Sequence, residues 1–306
     1  MNTRQLEYAV AVAKERSFSK AAKSLIVSQP SLSQYIQRLE DELGILLFER
    51  TTPLRLTYAG EVFIKYAQEV LNQEKYMRSY ISDIRDEKNG RIVIGAGFLN
   101  STSVIPAVIK AFRQTYPDVQ IVLRETVEPE LFMFLKKDTI DFALTTIATN
   151  DLDMEMQDIS EQDYLLAVST TQDKNKGYKI TNDGKSWIFP EISITDCKDM
   201  QFIVQDKSIP MYGLMENICK KANVVPKVSV QCSNIVTALG MVRIGLGVCL
   251  VPTSAAIFNI GDKDIHFYRI KENEVKRKLY IIYRKERYLT RADLCFIHLI
   301  QEMVAN

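Results

Sequence analysis

The spacing of apolar positions changes character twice along the chain, and each stretch predicts a different kind of element. Between Arg4 and Lys14, the residues Leu6, Ala9, Val10 and Ala13 share one helical face, with Asn2 or Thr3 placed to cap it. The stretch FSKAAKSLIVSQPSLSQYIQRLE, Phe18 to Glu40, carries two further helical repeats. Ala21, Ala22, Leu25 and Ile26 make the first; Leu32, Tyr35, Ile36 and Leu39 make the second. Ser19 can cap the first helix, because a serine hydroxyl accepts from the free N–H groups of a first turn. Val27 and Ser28 break the repeat. Ser28 can cap the second helix, with Pro30 in its first turn, where a missing N–H costs nothing. Beyond Leu43, the residues Leu54 and Leu56 alternate with polar neighbours around Pro53, which predicts a short two-stranded wing.

From Tyr58 to about Lys88 the spacing becomes a heptad. Phe63, Tyr66, Val70, Gln73, Met77, Tyr80 and Ile84 are separated alternately by three and four residues, with Gln73 the polar member. A helix of about thirty residues would be roughly 45 Å long and cannot bury this stripe on itself. The stripe predicts pairing with the same helix of a second chain; the alternative is packing against its own domain.

After Asp86-Glu-Lys-Asn-Gly90 strands and helices alternate. Strands are expected at 91–95, 119–124 and 141–145, with helices at 104–115 and 130–137 between them. A similar series follows: strands at 164–168, 202–204, 227–230, 248–251 and 278–284, and helices at 211–222, 234–244 and 290–304. Alternation of this kind predicts a mostly parallel sheet. Two such sheets with exchanged segments would form two lobes around a cleft.

The outward side of the second N-terminal helix gives this arrangement a chemistry. Gln29, Ser31, Ser33, Gln34, Gln37 and Arg38 fall opposite its apolar stripe. Small residues allow close approach to a DNA major groove, and amides and guanidinium read base edges or hold phosphates. Arg50 and Arg55 in the wing can lie beside phosphates or in a minor groove. The alternatives are a helical hairpin with a polar exterior and a surface ribbon with solvated arginines; the glycine common in such turns is replaced here by Ile26 and Val27.

Taken together, this segment resembles the winged helix-turn-helix of LysR-type transcriptional regulators. The matching residues are Leu6, Phe18, Ala21, Ala22, Leu25, Ser28 to Ser33, Ile36, Leu39, Glu40, Leu43, Gly44, Leu47 to Arg50, Leu56, Thr57, Ala59 and Gly60. The resemblance implies double-stranded DNA as partner, with a recognition helix starting near Gln29. The expected DNA-binding set is Ser19, Lys20, Gln29, Pro30, Ser31, Ser33, Gln34, Arg38, Arg50, Arg55 and Thr57. It also implies a homodimer, or a dimer of dimers, built on the linker helix through Phe63, Tyr66, Val70, Met77, Tyr80 and Ile84.

The rest of the chain resembles the LysR effector-binding domain, itself similar to periplasmic solute-binding proteins. Ile94-Gly95, Ile105-Pro106, Phe112, Tyr116-Pro117, Leu135, Ile140-Asp141 and Gly245 to Pro252 match in order. The fold expected is α+β and multidomain: a winged helix-turn-helix over 1–58, a linker helix over 59–88, and a two-lobed α/β effector domain over 91–306. The first lobe would take about 91–163 and 268–306, the second about 164–267. One departure stands between Val168 and Phe202, where the chain is longer than the family pattern and Ser169-Thr-Thr-Gln-Asp-Lys-Asn-Lys replaces its usual His-Pro.

Ligands of open α/β sheets sit where strands end and helices begin. Asn100, Ser101 and Thr102 lie at such a junction, Thr145 and Thr146 end another strand, and Gln205 to Ser208 follow a third. The resemblance makes Asn100, Ser101, Thr102, Thr145, Thr146, Gln205 and Ser208 effector contacts; the same side chains can instead cap helices and satisfy local backbone. The effector would be a small-molecule co-inducer, with no resident cofactor and no metal, and RNA polymerase would be a further partner.

Composition narrows these readings. The formal net charge over 306 residues is only +1, so electrostatic attraction to DNA must come from local cations such as Lys20, Lys23, Arg38, Arg50 and Arg55. The five cysteines form no CxxC pair and are expected as reduced, buried thiols. No apolar run suggests a signal peptide or membrane span, so a cytoplasmic location away from membranes is expected. An enzyme is the alternative class. The only histidines are His266 and His298, the latter read on the apolar face of the last helix, and no nucleophile and base can be paired from sequence.

Overall fold

The computed structural model describes residues 1–49, 51, 53–85, 89–175, 178–183, 187–207 and 209–305. Contacts divide the chain into two compact units, Met1–Glu87 and Lys88–Asn306.

The first unit opens with α1 (Thr3–Glu15), α2 (Phe18–Ser24) and α3 (Gln29–Leu43). Asn2 caps α1 through a reciprocal pair: its Oδ1 accepts from Gln5 N at 3.0 Å, and Gln5 Oε1 accepts from Asn2 N at 2.8 Å. The cap of α2 is Ser17, not Ser19. Ser17 has an extended backbone and its Oγ accepts from Lys20 N at 3.4 Å, whereas Ser19 is already inside the first turn. Ser28 caps α3 as expected, accepting from Ser31 N at 3.3 Å, with Pro30 in the first turn. Leu32, Ile36 and Leu39 are fully buried against Tyr8, Val12, Ala21 and Ala22. The turn between α2 and α3 takes the left-handed conformation at Ile26 (φ +57), a position most turns give to glycine.

The wing is a two-stranded antiparallel ribbon, β1 (Phe48–Glu49) and β2 (Arg55–Leu56). It leads into α4 (Tyr58–Ile84), a helix of 27 residues. Gly60 sits where α4 meets the wing entry: a Cβ there would fall 2.0 Å from the Leu47 carbonyl oxygen. The heptad expectation is corrected at its start. Phe63 turns into the core of its own unit together with Ile64, because the first turns of α4 pack on α1 and the wing. Tyr66, Val70, Met77 and Tyr80 are exposed, and Tyr58, Val62 and Ile81 extend their stripe. The Ile84 side chain lies outside the described residues.

The second unit runs β3 (Asn89–Ala96), α5 (Phe98–Ser103), α6 (Ile105–Phe112), β4 (Asp118–Glu125), α7 (Glu128–Lys136), β5 (Phe142–Thr145) and β6 (Met154–Ser169). Short strands β7 (Thr181–Asn182), β8 (Trp187–Ile188) and β9 (Glu191–Ile192) precede β10 (Gln201–Gln205), α8 (Pro210–Lys221), β11 (Lys227–Cys232) and α9 (Ile235–Arg243). It ends with β12 (Cys249–Pro252), α10 (Thr253–Phe258), β13 (Ile265–Ile270), β14 (Lys276–Arg284) and α11 (Arg291–Ala305).

In the first lobe β3 lies between β4 and β5, all parallel, and β14 and the first part of β6 close the sheet antiparallel. Helices α6 and α11 cover one face, where the Phe112 and Phe296 rings meet edge to face at 5.1 Å. Leu131 and Leu135 of α7 cover the other. Strand β6 pairs with β14 as far as Asp163, and from Tyr164 onward with β12 and β13 of the second lobe. The chain returns after β13, which carries the second lobe to Ile270, past the expected boundary at 267. The parallel pair β10 and β11 joins this lobe through Ile203 N to Val248 O and Val248 N to Gln201 O, both 2.9 Å. A Cβ on Gly247 would lie 2.5 Å from Gln201 O, so the close backbone approach requires glycine there.

Parts of this unit lie outside the expected elements. The helix expected over 104–115 is α6, which starts at Ile105 with Pro106 in its first turn, and a separate short helix that was not expected, α5, ends just before it at Ser103. The part of β6 before Tyr164, MEMQDISEQD, has too few apolar residues to signal a strand; its ladder with β14 makes it one. The long segment after Val168 folds onto β13. There Asp173 accepts from the Tyr268 hydroxyl and pairs with His266 Nδ1, and Tyr178 stacks on His266 at 3.6 Å. His298 is solvent-facing, 3.2 Å from Glu302, rather than on the apolar face of α11.

Candidate DNA-binding face and ligand cleft

On the first unit, burial of the α3 stripe leaves Gln29, Pro30, Gln34, Gln37 and Arg38 exposed, with Ser31 and Ser33 half-buried among them. Ser19 and Lys20 of α2 and Arg55 of the wing are also exposed. These are the groups a groove-entering helix needs: small residues at its start, then amides, then a cation. Thr57 behaves differently from its expected phosphate contact. Its hydroxyl accepts from Gly60 N at 2.9 Å and donates to Leu46 O at 2.7 Å, so it caps α4. Arg50 lies outside the described residues.

One residue that fixes this face carried no chemical expectation. Glu40, at the inner end of α3, is 4% exposed, and its Oε1 accepts from Leu47 N at 2.7 Å and Phe48 N at 3.1 Å. It ties the helix to the base of the wing. Its place one turn beyond Ile36 and next to Leu39, on the apolar side of the helix, was the available signal, hidden by the adjacent Asp41 and Glu42.

In the second unit a cleft of about 560 Å³ opens between the two lobes. Asn100, Thr146 and Gln205 line it, as expected. Thr145 does not: it is fully buried, and its hydroxyl donates to Glu128 Oε2 at 3.2 Å and accepts from Ile147 N at 3.1 Å. Ser101 and Thr102 face a second hollow of about 410 Å³, shared with α6, α9 and α10. The helical twist of α5 turns them away from Asn100, and Thr102 donates to Phe98 O and Leu99 O at 3.0 Å. Neither caps a helix; α5 starts after Gly97 with no side-chain cap. Ser208 lies outside the described residues.

The charged groups of the cleft were missed. Glu128, first residue of α7, accepts through Oε2 from Thr146 N at 3.1 Å and Thr146 Oγ1 at 2.5 Å as well as from Thr145. Arg277 of β14 lines the same cleft, is 8% exposed, and donates to Gln162 Oε1 at 3.3 Å and Asn100 Oδ1 at 3.2 Å. Burial pushes its guanidinium below the ordinary value, opposed by the nearby Glu128 charge. In sequence, Lys276-Arg277-Lys278 reads as a surface run. Only the alternation with buried Leu279 sets Arg277 on the inner face. Glu128 reads as one of several acids in a helix first turn.

The thiols are unsuited to attack. Burial pushes Cys197 up to about 12 and Cys219 up to about 11, and raises Cys232, Cys249 and Cys295 as well.

Comparison with known proteins agrees with both halves. Residues 3–61 match the model described as "Bacterial regulatory helix-turn-helix protein, lysR family", and residues 85–305 match "LysR substrate binding domain". The chain is 25% identical to the HTH-type transcriptional regulator BsdA of Bacillus subtilis, over 98% of this chain and 100% of that one. It is 28% identical to a probable cat1 operon transcriptional activator of Acinetobacter lwoffii, over 100% and 97%. A full-length OxyR variant from Pseudomonas aeruginosa shares the fold, with a TM-score of 0.73 at 22% identity over 100% and 96% of the two chains.

Proposed function

The chain belongs to the LysR family of bacterial regulators, and from that premise we propose how its parts are used. It is a DNA-binding transcriptional regulator with an effector-binding domain, not an enzyme. The reading of the DNA-binding half is that α3 enters a major groove. Gln29, Ser31, Ser33 and Gln34 meet base edges and nearby phosphates, Pro30 sets the helix start, and Arg38 meets the backbone. Ser19, Lys20 and Arg55, with Arg50, hold flanking phosphates. The observation that carries this is the exposed polar row on α3 beside the exposed wing, opposite a fully buried stripe.

The exposed stripe of α4, with Tyr66, Val70, Met77 and Tyr80, supports a homodimer or dimer of dimers. Two recognition helices on a two-fold axis then call for a roughly palindromic site. A small molecule in the cleft, against Asn100, Thr146 and Gln205, biases the relation of the two lobes and so the DNA-bound state. Such a shift requires different ligand affinity in the two states. The protein acts in the cytoplasm, and RNA polymerase is the partner through which the bound form acts. Family membership supports this, and among the described residues no helix is long and apolar enough to cross a membrane. Functionally the chain divides at 1–58, 59–88 and 91–306.

Fluorescence anisotropy on a duplex from the region flanking the coding sequence tests the recognition helix. Gln29→Ala and Ser33→Ala should each weaken binding by about 1 kcal/mol or more without lowering the melting temperature. Wild-type affinity in both variants would overturn the assignment. Affinity should also fall steeply with added salt, as phosphate contacts release counterions.

A further inference from the structure

The cleft holds one fixed cation and one fixed anion that do not pair. Arg277 is buried, yet both its hydrogen-bond partners, Gln162 and Asn100, are neutral amides. It forms no ion pair with any described residue. A buried guanidinium without a counter-ion is costly, and its planar fork matches a carboxylate. Glu128 is anchored through Oε2 by three donors from Thr145 and Thr146. Its Oε1 makes no hydrogen bond with a described residue and lies 3.9 Å from where a Cβ would stand on Gly97, another cleft residue. An anchored carboxylate with a free oxygen accepts from a donor; it repels a second anion.

These two groups exclude the simplest ligands. A plain carboxylic acid would satisfy Arg277 but bring its charge to a cleft that already holds Glu128. A plain amine would satisfy Glu128 and leave Arg277 with neutral partners only. A molecule carrying both charges satisfies both and leaves the cleft neutral. The remaining walls are mostly apolar and come from both lobes, with Phe98, Val127 and Ile147 on one side and Ile209, Met211 and Ile235 on the other; Gln205, Ser233 and Asn234 add neutral polar groups. The volume of about 560 Å³ is in the range of small-molecule sites and admits a branched or aromatic side chain.

We propose that the effector is a zwitterion of the α-amino acid class with an apolar side chain, its carboxylate on Arg277 and its ammonium on Glu128. The proposal rests on the reading of the interlobe cleft as the effector site. The apolar body spans the two lobes, so its binding draws them together.

Thermal shift and calorimetry on the full-length protein test it. The probes are the proteinogenic L-amino acids. Each apolar one is matched by its des-amino acid and its decarboxylated amine, as in phenylalanine, 3-phenylpropanoate and 2-phenylethylamine. At least one apolar amino acid should stabilise the wild type, with both its matched partners weaker by on the order of 30-fold. Arg277→Gln should abolish that binding. Glu128→Gln should level the preference, so that the des-amino acid binds as well as the amino acid. Unliganded DNA binding by both variants confirms that they fold. A des-amino acid as tight as its amino acid in the wild type would overturn the proposal, and so would no binding of any amino acid at about 10 mM. The cleft reading fails separately: it falls if a ligand that stabilises the wild type binds equally well after Met211→Trp, which fills the cleft.

Discussion

Replacing Glu40 by alanine should loosen the wing before any other part of the first unit. The carboxylate is 4% exposed and its Oε1 receives two backbone donors, Leu47 N at 2.7 Å and Phe48 N at 3.1 Å. Truncation leaves both N–H groups buried without that acceptor. An unsatisfied buried donor costs about 1–3 kcal/mol, and two sharing one oxygen together lose about 3 kcal/mol. Local opening of the segment from Gly44 to Thr57 should then become about 100-fold more frequent, at 1.4 kcal/mol per tenfold. Hydrogen exchange followed by mass spectrometry on peptides covering 44–57 reads this directly, with peptides from α6 and α11 as internal controls. Glu40→Gln keeps an acceptor but loses the charge, and should open by only about tenfold more than wild type. If Glu40→Ala leaves exchange over 44–57 within about threefold of wild type, the carboxylate does not hold the wing to α3.

The other predictions concern the turn, the stripe and the thiols. Ile26→Gly should stabilise the first unit by up to about 1 kcal/mol in urea melts, because a β-branched residue is strained in the left-handed region. At 93% exposure Ile26 gives up little packing; a destabilised variant would show that the turn is not strained. Val70→Glu together with Met77→Glu should convert the wild-type oligomer to monomers in sedimentation velocity, and an unchanged oligomer would remove α4 as the interface. With Cys197 near 12 and Cys219 near 11, iodoacetamide at about pH 8 should label them only after unfolding, since little thiolate exists in the native state. Rapid native labelling would contradict the burial that raises them.

What is legible in the sequence depends on periodicity. Ser28, Pro30 and the Leu32–Leu39 stripe were legible because cap, proline and 3.6-residue spacing all agree. Ser19 was misread as a cap because the apolar repeat starts at Ala21, while Phe18, turned toward Phe48, is already helical. Phe63 fits the heptad by spacing, yet the hydrophobic core of its own unit claims it, a tertiary contact that no local pattern reports. Asn100, Thr146 and Gln205 followed from the rule that strand ends line the cleft. Glu128 and Arg277 did not, since charged residues in a helix first turn and in a basic run have no local mark of burial. The polar half of β6 was invisible for a related reason: its strand state comes from pairing with β14, not from its own side chains.

If α3 reads DNA as one of a two-fold related pair, the sequence it selects must carry the same symmetry. Selection from a pool of random duplex DNA with the purified full-length protein tests it most directly. The two-fold pair predicts enrichment of an inverted repeat whose half-sites lie a whole number of helical turns apart, about 10–10.5 base pairs or a multiple. It also predicts loss or change of that motif with Gln29→Ala and Ser33→Ala combined. A wild-type protein that enriches no sequence over the input pool, or a motif unchanged in the double variant, would contradict it.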